Sequence, residues 1–351
     1  MRVSLKALLA ISALAVLMSG CAQKVQIKAL NPAEVGAMAT KKKVAVSNFR
    51  HDNVGLAGKI ETMMAKHQLD KQKYFTVLSR RDVNKVIAEQ KLQSSELMDE
   101  KTSTRIGKLI GAQAMINGEI ASANAEAGSY REERKECLSY YKEGGCARWN
   151  FYNVTCNTTQ ASVSANINIV NIETGSLIYG DSISKNYSAD SCKEGTALFG
   201  ILQTAPKQIL SKGQALNKLA SDIADEFVYK LTPHYVYFQV ALLDSIELDS
   251  VTDAQKQAFA NALEFIKAGR IDKADLLLSG LMNELDGRSY VVAFVNGVVK
   301  EAQGHFDDAK KLYQLADSIT VKPVDEINLA MMRIDGMIAK RDEAQRQINA
   351  K

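Results

Sequence analysis

Residues 1–21 decide where the rest of the chain has to fold. Met1-Arg2-Val3-Ser4-Leu5-Lys6 is basic, residues 7–18 form an apolar run too short to span a bilayer as a helix, and Ser19-Gly20-Cys21 sets a cysteine directly after two small residues. That is the form of a lipobox. It predicts a signal peptide over residues 1–20 whose removal makes Cys21 the new N-terminus, with a diacylglyceryl group on its thiol and an acyl chain on its amine. At about 0.8 kcal/mol per buried methylene, several acyl chains hold such a protein almost permanently on a membrane. Met18 stands where Leu is more usual, and the alternative is a plain signal peptide with an incidental cysteine.

Export sets the redox conditions. Of five cysteines, four remain once Cys21 carries lipid, and all four fall in one segment: Cys137, Cys146, Cys156 and Cys192. An even number in an exported chain predicts two disulfides. Residues 167–171 and 177–184 are β-rich runs on either side of Ile172-Glu173-Thr174-Gly175-Ser176, where Gly175 supplies positive φ for a hairpin turn. Folding about Thr174 sets residues opposite when their numbers sum to about 348, which Cys156 and Cys192 satisfy. The predicted pairs are Cys156 with Cys192 and Cys137 with Cys146; free thiols are the alternative. A metal site is not predicted, because the spacings are not those of zinc ligands and no histidine lies nearby.

Removing 20 residues leaves 331, enough for two domains with separate cores. The formal charge of +4 falls to +2 when Arg2 and Lys6 leave, which gives no basis for nucleic-acid binding. Residues 21–40 read as a lipid-anchored tether without strong periodicity. Val44-Ala45-Val46-Ser47-Asn48-Phe49 reads as an alternating strand after Lys41-Lys42-Lys43, residues 55–68 as a helix, 74–78 as a strand, 80–90 and 103–110 as helices, and 215–231 as a helix stopped by Pro233. Tyr235-Val236-Tyr237-Phe238-Gln239-Val240-Ala241 reads as one more strand for the edge of the sheet.

These pieces and their order resemble the curli production assembly/transport family of CsgG-type lipoproteins. The resemblance rests on Lys43-Val44-Ala45-Val46 ending at Phe49, on Tyr74-Phe75-Thr76-Val77-Leu78-Ser79-Arg80-Arg81-Asp82-Val83 with Ile87 and Gln90-Lys91-Leu92, on Ile106-Gly107-Lys108-Leu109-Ile110-Gly111-Ala112 running into Ile116-Asn117-Gly118-Glu119-Ile120, and on Ala165-Asn166-Ile167-Asn168-Ile169-Val170-Asn171-Ile172-Glu173-Thr174-Gly175. It implies an α+β fold, a sandwich-like α/β domain with a mixed sheet over residues 41–245, and in the type members a ring of subunits forming a secretion pore. Ala22 after Cys21, where similar lipoproteins retained at the inner membrane carry Asp, implies the outer membrane with the mature chain facing the periplasm.

Insertions at about 124–160 and 188–213 occupy the places where pore formers carry membrane hairpins. The first holds Arg131-Glu132-Glu133-Arg134-Lys135-Glu136 and the second bunches Leu198, Phe199, Ile201 and Leu202, so neither shows the alternation of a lipid-facing strand. The expectation is a disulfide-stapled cap on one edge of the sheet, in which Tyr140, Tyr141, Trp149, Phe151 and Tyr152 either bind a partner protein or pack the cap's own small core.

Beyond residue 253 the chain repeats. Gly269-Arg270-Ile271-Asp272-Lys273-Ala274 returns as Gly304-His305-Phe306-Asp307-Asp308-Ala309, and more weakly as Ala339-Lys340-Arg341-Asp342-Glu343-Ala344. The step of 35 residues is close to the tetratricopeptide period, and residues 253–351 resemble a short all-α array of that type, with Gly269 and Gly304 permitting the turns, Ala274 and Ala309 allowing close helix approach, and the third unit a truncated polar cap. An unrelated helical bundle is the alternative.

No residues group into a catalytic site, and no cofactor motif is present. His51, His67, His234 and His305 are far apart in sequence, and Gly55-Leu56-Ala57-Gly58-Lys59 lacks the spacing of a phosphate loop, so it reads as the start of a helix. The sequence therefore predicts a non-enzymatic scaffold for export or biogenesis of surface structures, held by outer-membrane lipid and meeting other envelope proteins or further copies of itself. The alternatives are a lipoprotein activator of a peptidoglycan synthase and an oligomeric secretion channel subunit.

Overall fold

The computed structural model describes residues 23–89, 100–193 and 207–350, which divide into two compact units. Cys21 and the residues read as a signal peptide lie outside the described residues, as do Gln90, Lys91 and Leu92 and residues 194–206 of the second insertion.

The first unit runs from Ala33 to Pro233 and takes in the residues from Gln347 on. Its elements are α1 (Gly36–Ala39), β2 (Lys43–Val46), α2 (Leu56–Lys66), the short pair β3 (Gln68–Leu69) and β4 (Gln72–Lys73), β5 (Thr76–Leu78), α3 (Arg80–Glu89), α4 (Glu100–Ile110), β6 (Ala114–Tyr140), β7 (Cys146–Asn171), β8 (Leu177–Asp190) and α5 (Lys212–Lys230); β1 belongs to the other unit. The main sheet has the order β5-β2-β6-β7-β8, with β2 parallel to both neighbours and the rest antiparallel. Residues 44–46 are buried on both faces rather than alternating, because helices cover both sides of the sheet here. Ala45 and Met115 meet Val83, Ile106 and Ile172 on one side. On the other, α5 packs on β6, β7, β8 and α2, burying Leu219, Ile223 and Phe227. Gly118 lets Phe49 close on the sheet, since a Cβ there would lie 2.6 Å from the Asn166 carbonyl oxygen and 2.7 Å from the Phe49 ring.

The second unit comprises the described residues up to Pro32 and residues 234–346. It holds β1 (Lys24–Asn31), β9 (His234–Ala241), α6 (Asp253–Lys267), α7 (Ile271–Glu284), α8 (Tyr290–Ala302), α9 (Phe306–Ile319) and α10 (Asp325–Asn349). Two expectations change here. Residues 24–31 are a strand and not a tether: Val25, Ile27 and Ala29 are buried while the residues between them are exposed, a period of two in a segment read as aperiodic. Its partner is β9, antiparallel from Lys24 opposite Ala241 to Asn31 opposite His234, so β9 joins β1 rather than the edge of the main sheet. The apolar faces of this ribbon and of the helices share one core, so the boundaries fall at Pro32 and Pro233 instead of near 41 and 245.

Helices α6 to α9 form two antiparallel pairs in a tetratricopeptide-like arrangement. Gly269 and Gly304 adopt φ of 73° and 83° at the turns, and Ala274 and Ala309 are fully buried. Ala in place of either glycine is expected to cost about 1–2 kcal/mol, the strain of a left-handed residue with a Cβ, read as a fall in the thermal midpoint. The third unit does not turn: residues 339–344 lie inside the continuous α10, because Ala339 stands where the turn glycine would be needed. Among the described residues no helix is long and apolar enough to cross a membrane.

Candidate functional site: a disulfide-clamped ribbon with an aromatic end

β6 and β7 stay paired far beyond the sheet, to Tyr140 opposite Cys146, whereas β8 stops at Asp190 opposite Thr158. Residues 129–140 and 146–157 therefore form a two-stranded ribbon about 40 Å long at roughly 3.3 Å per residue. This corrects the expected cap. The charged block that read as a loop is a strand with solvent on most of both faces, and Gly144 and Gly145, with φ of 92° and 88°, close its turn.

Both predicted disulfides are present. Cys137 and Cys146 bond across the ribbon just below the turn, Cα atoms 5.7 Å apart, and Cys156 bonds to Cys192, Cα atoms 5.4 Å apart, tying the chain after β8 to the ribbon's base. The same junction is sealed by Asn157 N–H donating to Ser191 Oγ at 2.8 Å and by Ser191 N–H donating to the Asn157 carbonyl at 2.9 Å. Arg134 is 5% exposed and directs its guanidinium at the Cys192 carbonyl oxygen, 3.4 Å away, and at Glu132, 3.2 Å away. Tyr130 donates to Asp190 at 2.9 Å, which raises the Tyr130 hydroxyl pKa; against the opposing effect of burial, the Asp190 carboxyl is held below its usual range first by the Cys192 N–H that it accepts and then by this bond. Glu132 also lies beside both sulfurs, but those sulfurs are bonded to each other and offer no thiolate to a metal.

The period of two then sorts the aromatic residues. Asn150, Tyr152, Val154 and Cys156 alternate towards the half-covered face on which Cys192 sits, while Trp149, Phe151, Asn153 and Thr155 point the other way and are exposed. Trp149 and Phe151 are 45% and 60% exposed, Tyr140 and Tyr141 at the turn are 73% and 62%, and Leu138 beside them is 50%. The Lys135 ammonium lies 4.7 Å from the centre of the Trp149 ring. Four of the five aromatic candidates thus cluster at the outer end, with Tyr152 separated on the opposite face. They do not fill a core. Sequence reasoning missed Leu138, Lys135 and the buried Arg134; strand alternation across residues 130–137, once recognised, would have paired Lys135 with the aromatic face. At the start of α2, Asp52 accepts the N–H groups of Leu56 and Ala57 at 2.8 and 3.0 Å, so the glycine-lysine stretch is a capped helix start.

The model of the family described as "Curli production assembly/transport component CsgG" matches residues 18–261. The chain belongs to that family. The match takes in β2, the sheet and the whole ribbon of this CsgG-family chain. No curated protein matches it. Among solved structures it is similar to the LpoB C-terminal domain from Salmonella enterica, at 12% identity over 43% of this chain and 91% of that one with a TM-score of 0.25. It is also similar to lipoprotein GNA1162 from Neisseria meningitidis, at 12% identity, 53% and 98% coverage and a TM-score of 0.28. The hypothetical protein CT253 from Chlamydia trachomatis gives 12% identity, 54% and 94% coverage and a TM-score of 0.26.

Proposed function

We propose that this CsgG-family protein is a non-enzymatic envelope lipoprotein, acylated at Cys21 and held on the outer membrane facing the periplasm, whose ribbon engages another envelope protein during export or assembly of surface structures. The observation that carries this reading is the cluster of Leu138, Tyr140, Tyr141, Trp149 and Phe151 exposed at the end of a ribbon braced by two disulfides. Large rigid aromatics in a fixed geometry lose little conformational freedom on binding, and such residues dominate the energy of protein interfaces. A role for the ribbon in a lipid-facing barrel is disfavoured by its charges: Arg131, Glu133 and Lys135 lie on one face and Glu132, Arg134 and Glu136 on the other, and a lipid-facing basic residue costs roughly 2–4 kcal/mol at the midplane.

The test is a Trp149→Ala/Phe151→Ala variant expressed in place of the native protein. Because both side chains are exposed, its thermal midpoint and its membrane fractionation should match the parent, with a stability change within about 0.5 kcal/mol. Secretion of the cell's surface fibre or polymer should fall to the level of a deletion strain. A change confined to peptidoglycan synthesis would instead assign the ribbon to synthase activation, and a variant that behaves as the parent in every assay would remove the ribbon end from the function.

A further inference from the structure

The chain behind Cys21 has almost no slack. A flexible tether over residues 21–40 would have a mean reach of about 25 Å, but the chain is already fixed at Gln23. Its carbonyl oxygen accepts the Leu242 N–H at 2.8 Å, and its side-chain Nε2 donates to the Leu263 carbonyl oxygen at 2.6 Å. From Lys24 on, every residue of β1 has a partner in β9, and Val25, Ile27 and Ala29 enter the core of the helical unit. Only Ala22 stands between Cys21 and the first fixed residue.

Two peptide steps span at most about 7 Å. Acyl chains on Cys21 lie in the hydrocarbon and set that residue at the boundary with the headgroups, a layer about 5–8 Å thick on each side of a bilayer. Reach and thickness are the same size, so Gln23 lies within the headgroup layer or at its outer edge. What Gln23 is bonded to comes with it: the chain that follows β9 at Leu242, and α6 at Leu263. Gaining further reach would mean stripping β1 from β9 and exposing Val25 and Ile27 to water.

We infer that the short reach from Cys21 holds one end of the helical unit, residues 23–26, 242–245 and 263–267, against the phospholipid headgroups. The inference rests on acylation of Cys21 and is independent of what the ribbon binds. The contact is imposed by the anchor and not drawn by charge. The exposed ions at this end are mixed, Lys24 and Lys267 against Asp244 and Glu264, with Lys267 and Glu264 3.8 Å apart. A surface without excess positive charge gains little from anionic lipid.

The test uses the full mature chain, acylated, in vesicles of phosphatidylethanolamine and phosphatidylglycerol. The sole tryptophan is removed by Trp149→Phe and a reporter is placed at an exposed position by Asp244→Trp. Lipids carrying a nitroxide on the headgroup should then remove most of the tryptophan emission. An insertion of about ten glycine and serine residues between Ala22 and Gln23, which raises the mean reach to about 19 Å, should restore most of it while the protein stays in the membrane fraction. Cys21→Ser should leave the emission unquenched. Acylated protein that the nitroxide does not quench, or quenching that survives the insertion or Cys21→Ser, would overturn the inference and leave the anchor itself standing. Mass spectrometry showing Cys21 unmodified would instead remove the anchor, and the inference with it.

Discussion

Glu301→Ala is expected to destabilise the helical unit by about 3–5 kcal/mol, the cost of removing one partner from a buried ion pair. Glu301 on α8 is completely buried. Its carboxylate takes both forks of the Arg333 guanidinium from α10 at 2.8 Å and a hydrogen bond from the Tyr313 hydroxyl on α9, so one side chain joins three helices. Burial, with the adjacent carboxylate, pushes the Tyr313 hydroxyl pKa well up and keeps it a donor. Alanine leaves Arg333 charged without its partner and Tyr313 without an acceptor. Thermal unfolding should show the loss directly, and replacing Glu301, Arg333 and Tyr313 together by apolar residues of similar size should recover much of it. A Glu301→Ala melt within about 0.5 kcal/mol of the parent would show that the three groups do not hold the helices together.

The second large effect belongs to the ribbon's base. Cys156 and Cys192 are separated by 36 residues, and closing a loop of that size in the unfolded chain is worth about 3–4 kcal/mol, against about 2–3 for the separation of 9 between Cys137 and Cys146. A Cys156→Ser/Cys192→Ser variant should lose stability by the larger amount. It should also increase hydrogen exchange in residues 150–157, because Arg134 loses the fixed carbonyl of Cys192 that it faces. A Cys137→Ser/Cys146→Ser variant should loosen the turn and its aromatics and leave the sheet's exchange unchanged. Equal effects of the two variants on the sheet would mean that the Cys156–Cys192 bond does not brace the base.

Much of this architecture is legible in the residues. The order of strands and helices around Gly118 and Gly175 carried the family resemblance, symmetry about Thr174 pointed to Cys156 and Cys192, and the two glycine turns marked the helical repeat. The misreadings have physical causes. A ribbon with solvent on both faces needs no apolar alternation, so Arg131-Glu132-Glu133-Arg134-Lys135-Glu136 reads as a loop although each residue has a cross-strand partner in β7. Val44, Ala45 and Val46 are buried on both faces and carry no period at all. The alternation of Val25, Ile27 and Ala29 is present in the sequence, but β1 finds its partner, β9, more than 200 residues later, which no local pattern reveals.

The decisive measurement is the mass and negative-stain shape of the acylated protein extracted from outer membranes in mild detergent. A scaffold held by lipid at Cys21 should run as a monomer or small oligomer, its detergent confined to the acyl chains. A ring of many subunits with a detergent belt around protein strands would contradict it and make the ribbon part of a channel.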